Sequence, residues 1–350
     1  MATAFSIIIA CYNQRSFIRE TVESVLAQHH VGKQIIVVDD ASTDGTQQIL
    51  REFGEKIELV ACQSNQGATH ARNLGASMAT GDYLVFLDGD DALLPWALDL
   101  YAGIIDIKRP KVILGLLLPC KEKLPTVDLE GFVQQVKVID LERLANKDRT
   151  HWGSASALVV ERQTFVDVMG WRDGFFPAEV DDLQIQLACA GRAIQIISPP
   201  TTCYRLHSGN SSRHWHSYIP IMHKIIRSER AGEYPGGPNR RLARYVFIGG
   251  PVFSWVKWSL KAHRYGPALK LVADGLPMIL AAVTYRLYAV ITGGQPIEIA
   301  GSNIGDAIQF CACRPGTREA CPHGIKHQTP AHAVAEWNER LKDARAKDAR

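Results

Sequence analysis

The sequence predicts an α/β protein with a mostly parallel central sheet that is flanked by helices. Short β-branched runs alternate with helical stripes through the first ninety residues, and polar residues follow each run. The chain has 350 residues, of which 46% are hydrophobic. That length suits one large α/β domain with an appended segment, or two domains, and that composition will fill an ordinary core.

Four short apolar runs in this first part are typical of strands that are covered on both faces. They are FSIIIA (5–10), QIIVV (34–38), IELVA (57–61) and YLVFL (83–87). Stretches with apolar residues at helical spacing separate these runs. Strands and helices that alternate at this distance form a parallel sheet through right-handed crossovers.

The pattern loosens after residue 110. Further strands are predicted at VILGLLL (112–118), SASALVV (154–160) and AIQIIS (193–198), with helices at RQTFVDVMG and DDLQIQLACAG. From residue 215 onward the sequence predicts mainly helices, which are broken most clearly at GGPN (236–239).

Charge is distributed unevenly along the chain. Residues 1–213 contain 20 Lys and Arg against 26 Asp and Glu, whereas residues 214–350 contain 19 against 10. The basic part suits an anionic partner such as phospholipid headgroups or a diphosphate-bearing acceptor; the alternative is an ordinary solvated helical face. Within it, the apolar run 276–292 is short for a membrane span and includes an arginine. An interfacial helix, a packed helix and a span are all compatible with this run.

The predicted location is the cytoplasm, with peripheral contact to the inner face of the cytoplasmic membrane as a further possibility. The apolar FSIIIAC stretch is too short for a signal peptide and has no basic region before it. The eight cysteines are therefore predicted to be reduced thiols.

The stretch LVFLDGDDALLP (84–95) indicates a cation site. Asp88, Asp90 and Asp91 follow a strand and would repel one another at neutral pH unless a positive charge lies among them. Mg²⁺ and Mn²⁺ use few protein carboxylates and fill their other positions with water and phosphate oxygens. The alternative is a solvated acidic turn without metal.

Four segments together resemble the nucleotide-sugar half of family-2 inverting glycosyltransferases, which have the GT-A fold. The segments are CYN (11–13), VVDDASTDGT (37–46), NQGATHARNLG (65–75) and GDYLVFLDGDD (81–91). The resemblance covers roughly residues 5–213. It implies a catalytic domain over 1–213. The residues that follow predict a basic and mainly helical extension over 214–292, which could contact a membrane, and a partly disordered tail over 293–350.

The resemblance also implies roles for individual residues. Asp39 would accept a hydrogen bond from the nucleotide base, and Tyr12 and Asn13 would line the same pocket. Arg72 would lie near the nucleotide. Asp40 would steady its loop or touch the nucleotide directly.

The implied metal site consists of three residues. Asp90 would be the main ligand of Mg²⁺ or Mn²⁺, and Asp88 would face the ribose or the water shell of the metal. His207, in YRLHSGNSS (204–212), would bind the metal or a phosphate.

The implied catalytic base lies within GWRDGFFPAEVDDLQIQLACAG (170–191). The family places a Glu-Asp pair at the start of this helix, but alignment of the helix puts Glu179 on the Glu and Val180 on the Asp. Asp181 is the first candidate for the base, and Glu179 and Asp182 follow closely. Trp152 occupies a position where the family often has residues that face the acceptor.

The predicted function is therefore metal-dependent transfer of a sugar from a nucleotide diphosphate donor to a hydroxyl of a glycan or lipid-linked acceptor, in cell-surface polysaccharide synthesis. No nucleic acid partner is expected. Two alternatives are a non-catalytic nucleotide-sugar-binding protein, because of Val180, and a metal-dependent phosphohydrolase. The tail adds Cys311, Cys313, Cys321 and His323, whose spacing is unusual for a zinc site.

Overall fold

The computed structural model describes residues 3–30, 32–120, 135–140, 154–207, 209–210, 217–291 and 307–309. The strands of the described residues belong to two separate sheets. The strands are β1 (Phe5–Cys11), β2 (Lys33–Asp39), β3 (Glu58–Ala61), β4 (Tyr83–Asp88), β5 (Ala92–Leu93), β6 (Val112–Leu114), β7 (Leu117–Cys120), β8 (Gln135–Asp140), β9 (Leu158–Glu161), β10 (Arg192–Ser198), β11 (Thr202–Arg205) and β12 (Ala307–Gln309).

Helices cover both faces of the larger sheet and form the C-terminal part of the described chain. They are α1 (Ile18–Leu26), α2 (Thr46–Arg51), α3 (Ala68–Ser77), α4 (Ala97–Lys108), α5 (Arg162–Asp167), α6 (Glu179–Leu187), α7 (Tyr218–Ala231), α8 (Arg241–Lys261) and α9 (Tyr265–Ile291).

The larger sheet has the strand order β12-β8-β10-β6-β9-β4-β1-β2-β3. Strands β4, β1, β2 and β3 are parallel, whereas β9 runs antiparallel to both of its neighbours. Alternate side chains of β1 enter different cores: Ile7 and Ile9 pack with α1, α2 and α4, and Ile8 packs with α3, α5 and α6. The predicted α/β architecture, with a mostly parallel sheet and a helical C-terminal region, is confirmed.

The predicted strand 112–118 is divided between the two sheets. Its first part is β6 in the larger sheet, and its second part is β7 in a small sheet of order β5-β11-β7. Gly115 lies at the division, where a Cβ atom would be 2.4 Å from Thr201 Oγ1 and 2.9 Å from the hydroxyl of Tyr101. The chain can cross here only because this residue has no side chain.

The small sheet also contains a disulfide that the sequence did not predict. Cys120 of β7 is bonded to Cys203 of β11, and their Cα atoms are 6.0 Å apart. The two residues are 83 positions apart in the sequence, and the parallel pairing of β7 with β11 makes them neighbours. The prediction of reduced thiols is therefore wrong for this pair.

Helices α7, α8 and α9 surround a third hydrophobic core, which also includes Ile185 of α6. Helices α8 and α9 form a hairpin in which Gly249 faces the Met278 carbonyl so closely that a Cβ would lie 1.9 Å from its oxygen. In the described part of the chain, α9 contains one stretch, Tyr265–Tyr285, that is long and apolar enough to cross a membrane, and 33% of its 18-residue window is buried.

Candidate active site at the carboxyl edge of the sheet

Three neighbouring strands bring the predicted nucleotide and metal residues to one edge of the larger sheet. The register pairs Cys11 of β1 with Asp39 of β2, and Ala10 of β1 with Asp88 of β4. Asp39 and Asp88 therefore flank the end of β1, which continues directly into Tyr12. Ligands of open α/β sheets bind at this edge.

Asp39 is fully buried, yet its hydrogen-bond contacts in the described structure are long. The nearest donors to its carboxylate are the Ser42 amide at 3.4 Å and Gln47 Nε2 at 3.5 Å. The Cys11 thiol lies at 3.9 Å, and burial together with Asp39 raises the pKa of that thiol well above its usual range. A buried carboxylate with such weak partners can accept a further hydrogen bond from a ligand.

Asp40 and Asn13 instead make short contacts within the protein. Asp40 accepts hydrogen bonds from the amides of Gln66 at 2.9 Å and Gly67 at 2.7 Å, and so holds the loop that begins α3. Asn13 accepts a hydrogen bond from the Thr43 amide at 2.8 Å, which connects the loops after β1 and β2. Its neighbour Tyr12 is 46% exposed.

The acidic turn after β4 is compact. One carboxylate oxygen from each of Asp88, Asp90 and Asp91 lies within 4.8 Å of the others. Burial and Asp88 raise the pKa of Asp90, and burial with Asp90 and Asp88 raises the pKa of Asp91 well above its usual range. The groups that stabilise the ionised forms of Asp90 and Asp91 therefore do not fully offset their burial and the repulsion from the neighbouring carboxylates.

The hydrogen bonds of the turn distinguish a structural carboxylate from two that can bind a cation. Asp91 is fully buried, and its two oxygens accept hydrogen bonds from the Arg205 amide at 3.0 Å and the Ser156 hydroxyl at 2.6 Å. Asp88 and Asp90 are partly exposed. Carboxylate oxygens are ligands that Mg²⁺ and Mn²⁺ prefer, so the residues present suit such an ion.

His207 completes this arrangement from the end of the small sheet. Its Nε2 lies 2.9 Å from Asp90 Oδ2, and its ring contacts the Phe17 ring at a centroid distance of 4.6 Å. The backbone that leads to it is fixed by Arg205, which is fully buried and donates to the Asp90 carbonyl at 2.7 Å and to Glu20 at 2.8 Å. Gln14 also donates from its Nε2 to Asp90 Oδ2 at 3.4 Å. Arg205, Ser156 and Gln14 are site residues that the sequence did not single out; the YRLH run was the signal for Arg205.

Arg72 links the acidic turn to the helix that carries the candidate bases. Its guanidinium donates to Asp88 at 2.6 Å and to Glu179 at 3.1 Å, and it lies 5.0 Å from the centroid of the Trp171 ring. Burial alone would lower the pKa of Arg72, but Asp88 and Glu179 outweigh burial and raise it. Glu179 is therefore paired with a permanent cation.

The other two candidate bases differ in their surroundings. Asp182 has no exposed side-chain surface; it forms a bidentate pair with Arg172 and accepts a hydrogen bond from the Tyr234 hydroxyl at 2.6 Å. Burial and Asp182 together raise the pKa of Tyr234. Asp181, one position earlier in the first turn of α6, is half-buried. Trp152, the candidate acceptor residue, lies outside the described residues.

One segment of the chain matches a known family. Residues 6–126 match the model of glycosyl transferase family 2. This segment is therefore similar to glycosyl transferase family 2. The matched segment contains the three strand ends and the acidic turn.

Curated relatives match the same family 2 region. TuaG of Bacillus subtilis strain 168, a protein named for teichuronic acid biosynthesis, is 46% identical over 89 residues, which are 25% of this chain and 35% of TuaG. WfaP of Escherichia coli is named as a UDP-Glc:alpha-D-GlcNAc-diphosphoundecaprenol beta-1,3-glucosyltransferase. It is 42% identical over 88 residues, which are 25% of this chain and 35% of WfaP. The chain thus spans about a third of the length of these relatives.

Solved structures extend the likeness of the fold beyond the family 2 segment. The structure of S. aureus TarS, residues 1–349 in complex with UDP-GlcNAc, matches with a TM-score of 0.62 over 83% of this chain and 88% of TarS. The identity is 17%, so this match concerns the fold alone. It confirms the predicted GT-A architecture.

The two contacts of Arg72 give a testable prediction. Arg72→Gln should lower the turnover of the sugar transfer that is proposed below about 10- to 100-fold, because Asp88 and Glu179 lose the group that orients them. It should also lower the melting temperature, since two partly or fully buried carboxylates lose their cation. Arg19→Gln is the matched control, because Arg19 pairs with Glu52 at the surface and such pairs contribute little. Equal behaviour of the two variants would contradict the linking role of Arg72.

Proposed function

We propose that this protein is a metal-dependent inverting glycosyltransferase. It moves a sugar from a nucleotide diphosphate donor to a hydroxyl of a glycan or lipid-linked acceptor in cell-surface polysaccharide synthesis. The observation that carries the proposal is the meeting of Asp39, the Asp88–Asp90 pair and the α6 acids around one sheet edge of a family 2 domain.

The donor binds along the edge formed by β1, β2 and β4. Asp39 accepts a hydrogen bond from the base, and Tyr12 packs against the nucleotide. Asn13 supports this pocket through its contact with the loop after β2. A uridine nucleotide is the first candidate, because WfaP is named for UDP-Glc and a TarS structure contains UDP-GlcNAc.

Asp88 and Asp90 hold the divalent ion, with His207 as a third ligand or as a phosphate contact. The ion would supply positive charge for the diphosphate as it leaves. Arg72 holds Asp88 in position. Asp91 serves the site by fixing the backbone of Arg205.

Asp181 acts as the general base. Inversion is a single displacement in which the acceptor hydroxyl loses its proton as it attacks the anomeric carbon, so one carboxylate suffices. Glu179 and Asp182 are less suited to this role, because each already forms a buried ion pair with an arginine.

The proposed location is the cytoplasm, in contact with the inner face of the cytoplasmic membrane, where lipid-linked acceptors are available. The Cys120–Cys203 disulfide argues against that compartment, because disulfides are uncommon there. Fractionation of cells that contain a tagged protein decides between the cytoplasm and a compartment in which disulfides persist.

Thermal stabilisation by UDP, GDP, dTDP and CDP, each with and without Mn²⁺, tests the proposal. A ligand that binds the native state raises the melting temperature by mass action. We expect a shift of about 2.7 kcal/mol in unfolding free energy at a nucleotide concentration 100 times its Kd, for one nucleotide and only with Mn²⁺. If no nucleotide shifts the transition, the proposed donor site is wrong.

A second function has one observation in its favour. Val180 follows Glu179 where the family has an aspartate, which suits a protein that binds a nucleotide sugar without transferring it. Such a protein would show the metal-dependent shift with UDP-sugars, but would release no nucleotide when candidate acceptors are added.

A further inference from the structure

Helix α9 exposes a long apolar stripe that no neighbouring element covers in the described structure. Its residues follow one another at spacings of 7, 4, 7 and 4, which places them within an arc of about 60° on the helix. Their exposed fractions range from 45% to 82%. The leucine stripe consists of Leu269, Leu276, Leu280, Leu287 and Ile291.

The opposite face of α9 anchors the helix along the protein. Leu271, Met278 and Ile279 are buried in the core that α7 and α8 share with α6. Because this buried face extends along the helix, α9 lies flat against α7 and α8. A helix that is fixed in this way presents its other face to a surface parallel to its axis, and it does not cross that surface.

The charges of this region suit an anionic surface. Residues 241–297 contain seven Lys and Arg and a single acidic residue, Asp274. Asp274 is held by His223 of α7, whose Nδ1 lies 2.7 Å from its carboxylate. Lys257 and Lys261 are exposed near the end of α8, and Lys270 is exposed beside the start of the stripe.

We propose that the leucine stripe docks on a membrane surface that contains anionic phospholipid. The stripe would enter the boundary between headgroups and acyl chains, with the helix axis parallel to the membrane and the lysines beside the headgroups. Tyr265 and Tyr288 lie exposed near the two ends of the stripe, and tyrosine suits such an interface because its ring is apolar and its hydroxyl is polar. Pairing of two copies through this face would bring two strongly basic regions together, and these would repel one another. An anionic membrane surface would instead attract the basic region.

This inference rests on the proposed location at a membrane, and its test is separate from sugar transfer. The full chain is mixed with vesicles of phosphatidylcholine alone, or of phosphatidylcholine and phosphatidylglycerol in equal parts, and sedimented. We expect the protein to bind the anionic vesicles. Leu280→Gln combined with Leu287→Gln should lower the partition coefficient about tenfold or more, since two buried apolar contacts with lipid are lost.

Matched variants separate the apolar and the electrostatic contributions. Val166→Gln is the control for the leucines, because Val166 lies on α5 and both it and Leu280 are 56% exposed; its partitioning should be unchanged. Lys261→Gln and Lys270→Gln should each lower binding to anionic vesicles about fivefold, and should leave binding to neutral vesicles unchanged. The nucleotide-dependent melting shift should persist in all of these variants, so that loss of lipid binding is distinguished from failure of the catalytic proposal.

Three results would overturn the inference. The first is that the unmodified protein stays in the supernatant with anionic vesicles; a dimer in light scattering that Leu280→Gln dissociates would then assign the stripe to a second copy. The second is that the leucine variants bind as well as the unmodified chain. The third is that the bound protein resists alkaline extraction, which would indicate that α9 spans the bilayer.

Discussion

Replacing Asp90 by asparagine is expected to lower turnover about 10³-fold or more, because the loss of a metal ligand removes several kcal/mol of charge stabilisation at the leaving diphosphate. The melting shift that UDP produces with Mn²⁺ should disappear. Both effects follow from the position of Asp90, whose carboxylate lies beside Asp88 and 2.9 Å from His207.

Although Asp90→Asn is expected to lower turnover, it should not lower the stability of the metal-free protein. Burial and Asp88 raise the pKa of Asp90, so the folded state binds the proton more tightly than the unfolded state does. The ionised carboxylate therefore destabilises the fold above this raised pKa, and stability increases as the pH falls through it. The asparagine side chain carries no charge, so Asp90→Asn should melt at the same or a higher temperature than the unmodified protein at neutral pH without metal.

The control for this variant is Asp99→Asn, which changes an exposed carboxylate in the first turn of α4. It should keep both turnover and the metal-dependent shift. If Asp90→Asn also keeps them, the metal is not held at this turn. If Asp90→Asn melts well below the unmodified protein, the loss of turnover would reflect damage to the fold.

Replacing Asp181 by asparagine is expected to lower kcat about 10²- to 10⁴-fold, the usual contribution of a positioned general base. The melting shift with UDP and Mn²⁺ should remain, because Asp181 is proposed to contact the acceptor hydroxyl and not the nucleotide. The measurement is turnover with a UDP-sugar and acceptor, alongside melting curves with UDP.

The neighbouring acids supply the comparison. Asp182→Asn should mainly affect the fold, with about 2–3 kcal/mol of lost stability, because Asp182 is buried against Arg172 and Tyr234. Glu179→Gln should resemble Arg72→Gln, since it removes one partner of that arginine. A collapse of kcat in Asp182→Asn with an unchanged melting temperature, and normal turnover in Asp181→Asn, would transfer the role of base to Asp182.

Some parts of this protein could be predicted from local pattern. The four parallel strands at the N-terminus lie within one or two residues of their predicted bounds, because apolar runs that are covered on both faces leave the chain little choice of register. Asp39 and Asp88 could be placed at a shared edge for the same reason, since the carboxyl ends of parallel strands meet there. The acidic turn could also be predicted, because three carboxylates so close in sequence must be close in space.

Other features required the folded chain. The division of 112–118 at Gly115 depends on contacts with Thr201 and Tyr101, and the Cys120–Cys203 bond depends on the pairing of two strands that are distant in sequence. The helical pattern of α6 could not rank its acids as candidate bases. The ranking comes from the partners of Glu179 and Asp182, which are Arg72 on α3, Arg172 on the segment before α6, and Tyr234 on the helical extension.

The sequence by itself determined the alternation of strands and helices, the sheet edge that gathers the polar residues, and the likeness of its N-terminal part to glycosyl transferase family 2. These depend on local hydrophobic period and on motifs whose residues are adjacent in the chain. Only the tertiary structure decided that Arg72 pairs with Glu179, that Asp182 is fixed by Arg172, and that one face of α9 stays exposed. Burial and ion pairing depend on distances between residues far apart in the chain, and a linear pattern does not contain those distances.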